Sequence, residues 1–307
     1  MDDKESGNEG VKKMMIDAVF SGGGIKGFAY VGAIQVLEEQ GIQFKRVAGT
    51  SAGAILATFL AAGFNAKELE EIFDELNLKV LLDPPKFWID LPFLKWINLY
   101  KRYGLYHGKS LEKFFVQKLA AKGIYTFNDL PKDALKLVAS DLTNGKILIL
   151  PDDLKHYGID SGTFSVSRAL RMSCGLPFFF EPIYLKDGKK ECVIVDGGLL
   201  SNFPLWIYDN EKKMRPVLGL KLSSASEEMS PHEINNALQL FEALFSTMQN
   251  AHDNRYITRN YEKNIIFIPV EHYSTTQFDI NDETKKTLIS IGKERTLQFL
   301  KTWSPVW

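Results

Sequence analysis

Phe44-Lys45-Arg46-Val47-Ala48 runs directly into Gly49-Thr50-Ser51-Ala52-Gly53, and on into Ala54-Ile55-Leu56-Ala57-Thr58-Phe59-Leu60-Ala61-Ala62, closed by Gly63. The first five residues predict a strand and the last nine a helix. A helix apolar on every side belongs in a protein interior. Between the two lies Gly-x-Ser-x-Gly, a turn that holds its serine in a strained backbone conformation above a sheet. The flanking glycines remove side chains that would strike the neighbouring strand and helix. The helix that follows brings its N-terminus close to the serine, where negative charge would develop. Alone, the pattern also fits a strand-to-helix turn whose small residues only pack. The strand before it and the buried helix after it point instead to a nucleophile at Ser51.

The same strand–turn–helix order occurs upstream. Met15 to Ser21 predicts a buried strand, Gly22-Gly23-Gly24-Ile25-Lys26-Gly27 a loop, and Phe28 to Gln40 a helix closed by Gly41, a residue suited to the left-handed helix end. Two such units in succession predict an α/β chain with a mainly parallel central sheet and helices on both faces. Gly22-x-Gly24-x-x-Gly27 also matches a dinucleotide-binding fingerprint. That reading requires an acidic residue about 20 positions on, at the end of the second strand. Here the second strand ends at Ala48 without one and enters the Ser51 turn, where a pyrophosphate and a nucleophile would compete for one crevice. Three consecutive glycines also suit backbone N–H groups aimed at an oxyanion, or a loop packed close to the sheet. Lys26 either orients that loop or is solvated.

A third segment supplies a carboxylate. Cys192-Val193-Ile194-Val195 predicts a strand, and Asp196-Gly197-Gly198 follows it. Standing alone, Asp196 would be a turn residue. Beside the serine turn and the glycine loop it is the best candidate for a base. The five histidines are His107, His156, His232, His252 and His272. Three of them follow Asp196, the order of an α/β-hydrolase triad. His232 falls in a helix start and His252 late in a helix, both ordinary structural positions, whereas His272 follows a strand and keeps a triad open.

Composition narrows the classes. The chain has 307 residues, 45% hydrophobic, with 37 Lys+Arg against 38 Asp+Glu and a net charge of −1. That is ample for a core and carries no basic footprint for nucleic acid. Cys174 and Cys192 are the only cysteines, so no disulfide framework is indicated and a reducing cytoplasm is the expected location. No cofactor or metal is called for. Residues 1–13 read as a disordered polar leader without the apolar core of a secretory signal. No apolar stretch has the length to cross a bilayer.

Residues 14–307 read as one domain. Its segment 83–107 is unusual: Phe87, Trp88, Phe93, Trp96, Tyr100, Tyr103 and Tyr106 are interleaved with Lys86, Lys95, Lys101 and Arg102. That mixture suits a lid touching a membrane surface, but a cap with its aromatics buried on the sheet is the first expectation, since aromatics more often belong to cores. Further along, Leu135 to Ser140 and Lys146 to Leu150 predict strands turning at Asn144-Gly145, and Ser165 to Ser173 a helix. Val217 to Leu222 and Ile265 to Ile268 predict strands. Ser230-Pro231-His232-Glu233 predicts a capped helix start, and Thr284 to Thr302 a final amphipathic helix.

Together these segments resemble the patatin-like phospholipases. That family combines a G-G-G-x-[KR]-G loop, a G-x-S-x-G elbow and a D-G-[GA] triplet, matched here by Gly22 to Gly27, Gly49 to Gly53 and Asp196 to Gly198. Ser173 to Pro182 and Asn202-Phe203-Pro204 are similar too, so the likeness runs from about Ile16 to Leu205. The resemblance implies a three-layer α/β/α fold and a Ser–Asp dyad without histidine, with Ser51 as nucleophile, Asp196 as base and Gly22, Gly23 and Gly24 as oxyanion loop. Lys26, Gly27, Gly49, Gly53, Gly197 and Gly198 would support the motifs. It also implies release of fatty acid from a phospholipid or other lipid ester, with peripheral membrane contact. Two other functions fit the same segments: acyl transfer to another alcohol or thiol, and a non-catalytic nucleotide-binding or scaffold protein.

Overall fold

The computed structural model describes residues 13–76, 83, 99–209, 215–223, 234–235, 237–253, 262–270, 272–273 and 280–304. In chain order the elements are β1 (Met14–Phe20), α1 (Phe28–Glu39), β2 (Ile42–Thr50), α2 (Ala52–Ala61), α3 (Ala66–Glu75), β3 (Gly104–Tyr106), α4 (Lys109–Ala120), β4 (Leu135–Asp141) and β5 (Lys146–Leu150). There follow α5 (Val166–Ser173), β6 (Phe178–Phe180), β7 (Ile183–Asp187), β8 (Lys190–Asp196), β9 (Val217–Lys221), α6 (Ala237–Asp253), β10 (Ile265–Phe267) and α7 (Asp282–Leu300).

The main sheet has eight strands in the order β10-β9-β1-β2-β4-β8-β7, with β5 beside β4. The strands β10, β9, β1, β2 and β4 run parallel, whereas β5, β7 and β8 are antiparallel to their neighbours. The sheet is therefore mixed: a parallel centre carries an antiparallel wing, because β7 and β8 form a hairpin and β5 folds straight back from β4. A second, two-stranded parallel sheet joins β3 and β6.

Alternate strand residues feed two cores, as the twofold repeat of a strand requires. Ile16, Ala18, Phe20, Val47, Leu137 and Leu220 belong to the larger core, with Tyr30, Ile34, Leu56, Phe59 and Leu170 from the helices. Val19, Ala48, Val138 and Ile265 face the other way, against Phe203, Leu205, Ile207 and Tyr208. The last three lie on the short helical turn Leu205–Tyr208. Asp17 in β1 is buried and paired with Arg46 of β2 at 2.7 Å and with Arg215, just before β9, at 3.1 Å.

Local chemistry explains the element ends. Asn65 accepts from the Glu68 backbone N–H while Glu68 accepts from that of Asn65, a reciprocal cap that starts α3. The final helix begins at Asp282, two residues before the sequence pattern suggests, because the Asn281 side chain caps it through the Thr284 N–H. In the aromatic segment, Tyr100 and Tyr103 are exposed whereas Tyr106 packs against Phe179 in a tilted pair. Phe87, Trp88, Phe93 and Trp96, the helix start at 230–233 and the leader up to residue 12 lie outside the described residues. No described helix is long and apolar enough to cross a membrane.

Candidate active site

The site is assembled by β4. One edge of β4 pairs with β5 from Leu137 to Asp141. The other edge is shared: Leu135 to Val138 pair with β2, and Ala139 to Asp141 pair with β8. Because β8 runs against β2, the two strands meet end to end along β4, with Thr50 opposite Val138 and Asp196 opposite Ala139. Ser51 and Asp196, distant in sequence, thereby emerge side by side.

Ser51 follows the last residue of β2 and caps α2 with φ 53° and ψ −120°. A positive φ at a non-glycine residue is strained, by about 1–3 kcal/mol, and such strain gathers at functional positions. The turn is compact because both flanking glycines are needed. A Cβ on Gly49 would sit 2.3 Å from the Gly53 carbonyl oxygen, and one on Gly53 would sit 2.4 Å from the Phe20 oxygen. The Ser51 N–H donates to Ser173 Oγ at 3.2 Å, Ser173 Oγ donates to the Val138 carbonyl at 2.6 Å, and the Cys174 thiol donates to the Ser51 carbonyl at 3.3 Å.

Asp196 is 2% exposed. Its Oδ1 accepts the Gly198 N–H at 2.7 Å, and its own N–H donates to the Gly175 carbonyl at 2.9 Å. Burial pushes its carboxyl from 3.8 up to about 7, against the opposing effects of the Gly198 N–H, the neighbouring Ser51 side chain and the Arg171 charge. Asp141, a wholly buried carboxylate at the end of the neighbouring strand β4, goes the opposite way. Burial pushes it up too, but hydrogen bonds from Tyr157 and Asn144 outweigh this and hold it below its usual range. A carboxyl raised toward neutrality next to a hydroxyl is the tuning expected of a general base. Gly197 is required at the turn, since a Cβ there would lie 2.2 Å from the Val138 oxygen.

The glycine loop lies across the same opening. A Cβ on Gly22 would lie 3.3 Å from Ser51 Cβ. The Gly22 N–H donates to the Asn202 carbonyl at 3.0 Å, so this donor is engaged, and no described hydrogen bond takes the N–H of Gly23 or Gly24. Gly24 has φ 56°, a conformation that favours glycine. Gly27 packs on Ala52 and Phe73, each 3.3 Å from its Cβ position, and Lys26 is half-buried beside the loop.

Several groups that the motifs did not single out support these residues. Arg171 is 2% exposed, donates to the carbonyls of Gly108, His107 and Glu181, and is lowered by burial to about 10. The buried Cys174 thiol is held well above its ordinary range, by burial first and by the Asp196 charge second. His107 pairs with Glu181 at 2.8 Å, His156 faces Asp153 at 3.6 Å, and His272 is exposed. Among the described side chains, no histidine contacts Ser51 or Asp196.

A family model for patatin-like phospholipases matches residues 18–208, more than half of the chain. The chain belongs to the patatin-like phospholipases. The family implies lipid-ester hydrolysis. Among its relatives is the uncharacterised protein YqhO of Bacillus subtilis (strain 168), 50% identical over 95% of this chain and 100% of YqhO. A cGAMP-activated phospholipase of Escherichia coli (strain TW11681) is 30% identical over 54% of this chain and 44% of its own length. Triacylglycerol lipase ptl3 of Schizosaccharomyces pombe is 29% identical over 62% of this chain and 38% of the lipase. This chain thus spans less than half of either named enzyme. Among solved structures, VipD from Legionella pneumophila shares the fold at a TM-score of 0.55 and 19% identity, covering 96% of this chain and 67% of VipD. The patatin-like α/β architecture predicted from the three motifs is the one observed.

Proposed function

We propose that this patatin-like protein is a lipid acyl hydrolase of the phospholipase A or lysophospholipase type, working through a Ser51–Asp196 dyad. The observation that carries the reading is the meeting of two strand ends on β4. It sets a strained serine hydroxyl against a buried carboxyl raised to about 7.

Ser51 Oγ attacks the ester carbonyl and its proton passes to Asp196. The tetrahedral oxyanion forms at the glycine loop, with Gly23 and Gly24 as backbone donors and Gly22 as the anchor that ties the loop to Asn202. The N-terminus of α2 adds its favourable field. Collapse of the intermediate breaks the ester C–O bond, and the departing alcohol takes the proton from Asp196, leaving acyl-Ser51. Water then attacks this second ester while Asp196 again receives the proton. The acyl–Oγ bond of the second tetrahedral intermediate then breaks, Asp196 returns the proton to Ser51 Oγ, and fatty acid leaves. A base near pH 7 matches this two-way proton traffic, since it must both accept and return the proton within one turnover.

The test compares wild type with Ser51→Ala on phospholipid vesicles and on a triacylglycerol emulsion, with free fatty acid measured. Wild type releases fatty acid, and the variant loses on the order of 10³-fold or more of the rate. Full turnover by Ser51→Ala, or no turnover of any lipid ester by wild type, contradicts the proposal. Acyl transfer to added glycerol in preference to water would replace it with the transferase reading.

A further inference from the structure

Asp253, the last residue of α6, is 2% exposed and reaches the loop between Asp196 and Pro204 from behind. Its Oδ1 accepts the Phe203 N–H at 2.9 Å and its Oδ2 accepts the Asn202 Nδ2–H at 3.4 Å. Asn202, 8% exposed, touches both catalytic loops. Its backbone carbonyl accepts the Gly22 N–H at 3.0 Å. Its side-chain Oδ1 is buried without a hydrogen-bond partner, lying 2.4 Å from the Cβ position of Gly22 and 3.3 Å from that of Gly198. Gly198 in turn donates to Asp196 Oδ1 at 2.7 Å.

A buried amide oxygen with no donor calls for an explanation. Turning the Asn202 amide over would bring that oxygen against the Asp253 carboxylate, an acceptor facing an acceptor. Asp253 therefore fixes which way the amide points, and the oxygen is wedged against the two glycines. Gln249, one turn earlier on the same face of α6, brings Nε2 to 2.6 Å from the Gly198 Cβ position. A side chain at Gly198 would have to displace the Gln249 amide and press on Asn202.

We infer that Asp253 is a positioning residue, which through Asn202 sets the glycine loop relative to the Asp196 turn. The inference rests on the hydrolase reading. Asp253 touches neither the reacting serine nor its base. It governs the rate by holding the two loops that carry the oxyanion donors and Asp196 at a fixed separation.

Asp253→Asn keeps the size and one acceptor for Phe203, but lets the Asn202 amide turn. With a soluble short-chain ester, the variant loses about 10- to 100-fold in kcat, the scale of a small misplacement of catalytic groups. KM changes little, and fluorophosphonate labelling of Ser51 slows by the same factor. Asn202→Ala, which preserves the Asp253–Phe203 bond, gives the same pattern. A residue that only stabilises the fold would lower the melting temperature and leave kcat per folded molecule unchanged. Either variant, folded and within about twofold of wild type in kcat and labelling rate, overturns the inference. If neither variant folds, hydrogen exchange of wild type decides. Phosphonylation of Ser51 should slow exchange at the Gly22 and Phe203 amides together, and unchanged exchange at both overturns it. A wild type that neither turns over ester nor labels overturns the hydrolase reading and this role with it. An active wild type with unaffected variants overturns the positioning role alone.

Discussion

Asp196→Asn should make the protein more stable and inactive at once. In wild type the carboxyl is raised from 3.8 to about 7, chiefly by burial. The folded state therefore binds the proton more tightly than the unfolded chain does. Stability is greatest below the unfolded value near 3.8 and falls as pH rises toward about 7. Above that, the whole cost of burying a charge is present, about 4 kcal/mol at 1.36 kcal/mol per pH unit. Asparagine keeps an oxygen that can accept the Gly198 N–H and the Ser51 hydroxyl but carries no charge. At pH 8 the variant should melt about 6 °C above wild type for a chain of this length, and the gap should close as pH is lowered toward 4. Activity runs the other way. Wild-type kcat/KM should fall about tenfold per pH unit below an apparent value near 7, as the ionised base is lost. The variant should be inactive throughout. The assay is thermal unfolding of both proteins from pH 4 to 8, alongside a pH profile with a soluble ester. A melting difference independent of pH, or an acid limb near 4, would refute the reasoning that Asp196 is a buried, raised base.

Three further outcomes follow from the geometry. Gly53→Ala places a Cβ 2.4 Å from the Phe20 oxygen and 2.5 Å from the Ser21 oxygen. It should destabilise by about 3 kcal/mol or more, read by thermal unfolding, and an unchanged melting temperature would contradict the crowding argument. His272→Ala removes an exposed side chain and should leave turnover within about twofold of wild type; complete loss with the fold intact would establish a triad in place of the dyad. Replacing Trp88 and Trp96 together with alanine should weaken vesicle binding more than turnover of a soluble ester, whereas equal losses with a lower melting temperature would place both side chains in the core.

The motif-bearing half of the fold was legible because its signals are local. Gly49 and Gly53 bracket Ser51 for a steric reason that the pattern encodes directly, and the apolar run from Ala54 to Ala62 leaves α2 no surface role. The antiparallel wing was less visible. The β7–β8 hairpin turns at Gly188, yet Ile183 to Asp187 alternates too briefly between buried and exposed residues to stand out. α3 is an element that the sequence analysis missed, although its reciprocal cap by Asn65 and Glu68 is a local pattern, a polar residue three positions before a glutamate. Ser173 and Asn202 fall in blocks that resemble the family, but what each supporting group holds had no local signal. Ser173 holds the Ser51 N–H, Asn202 holds that of Gly22, and Asp253 holds Asn202. Each contact spans at least 50 residues of chain, and only the pairing of β2 and β8 on β4 brings the loops together. Gly22 makes the same point. Three glycines in a row look equivalent as oxyanion donors, but the Asn202 carbonyl takes the first.

The most direct test of the Ser51 nucleophile is to label the wild-type protein with a fluorophosphonate and locate the adduct by peptide mass spectrometry. The account predicts a single adduct on Ser51, its formation slowed as pH falls through about 7 and absent in Ser51→Ala. Labelling at any other residue, or undiminished labelling of Ser51→Ala, would contradict it.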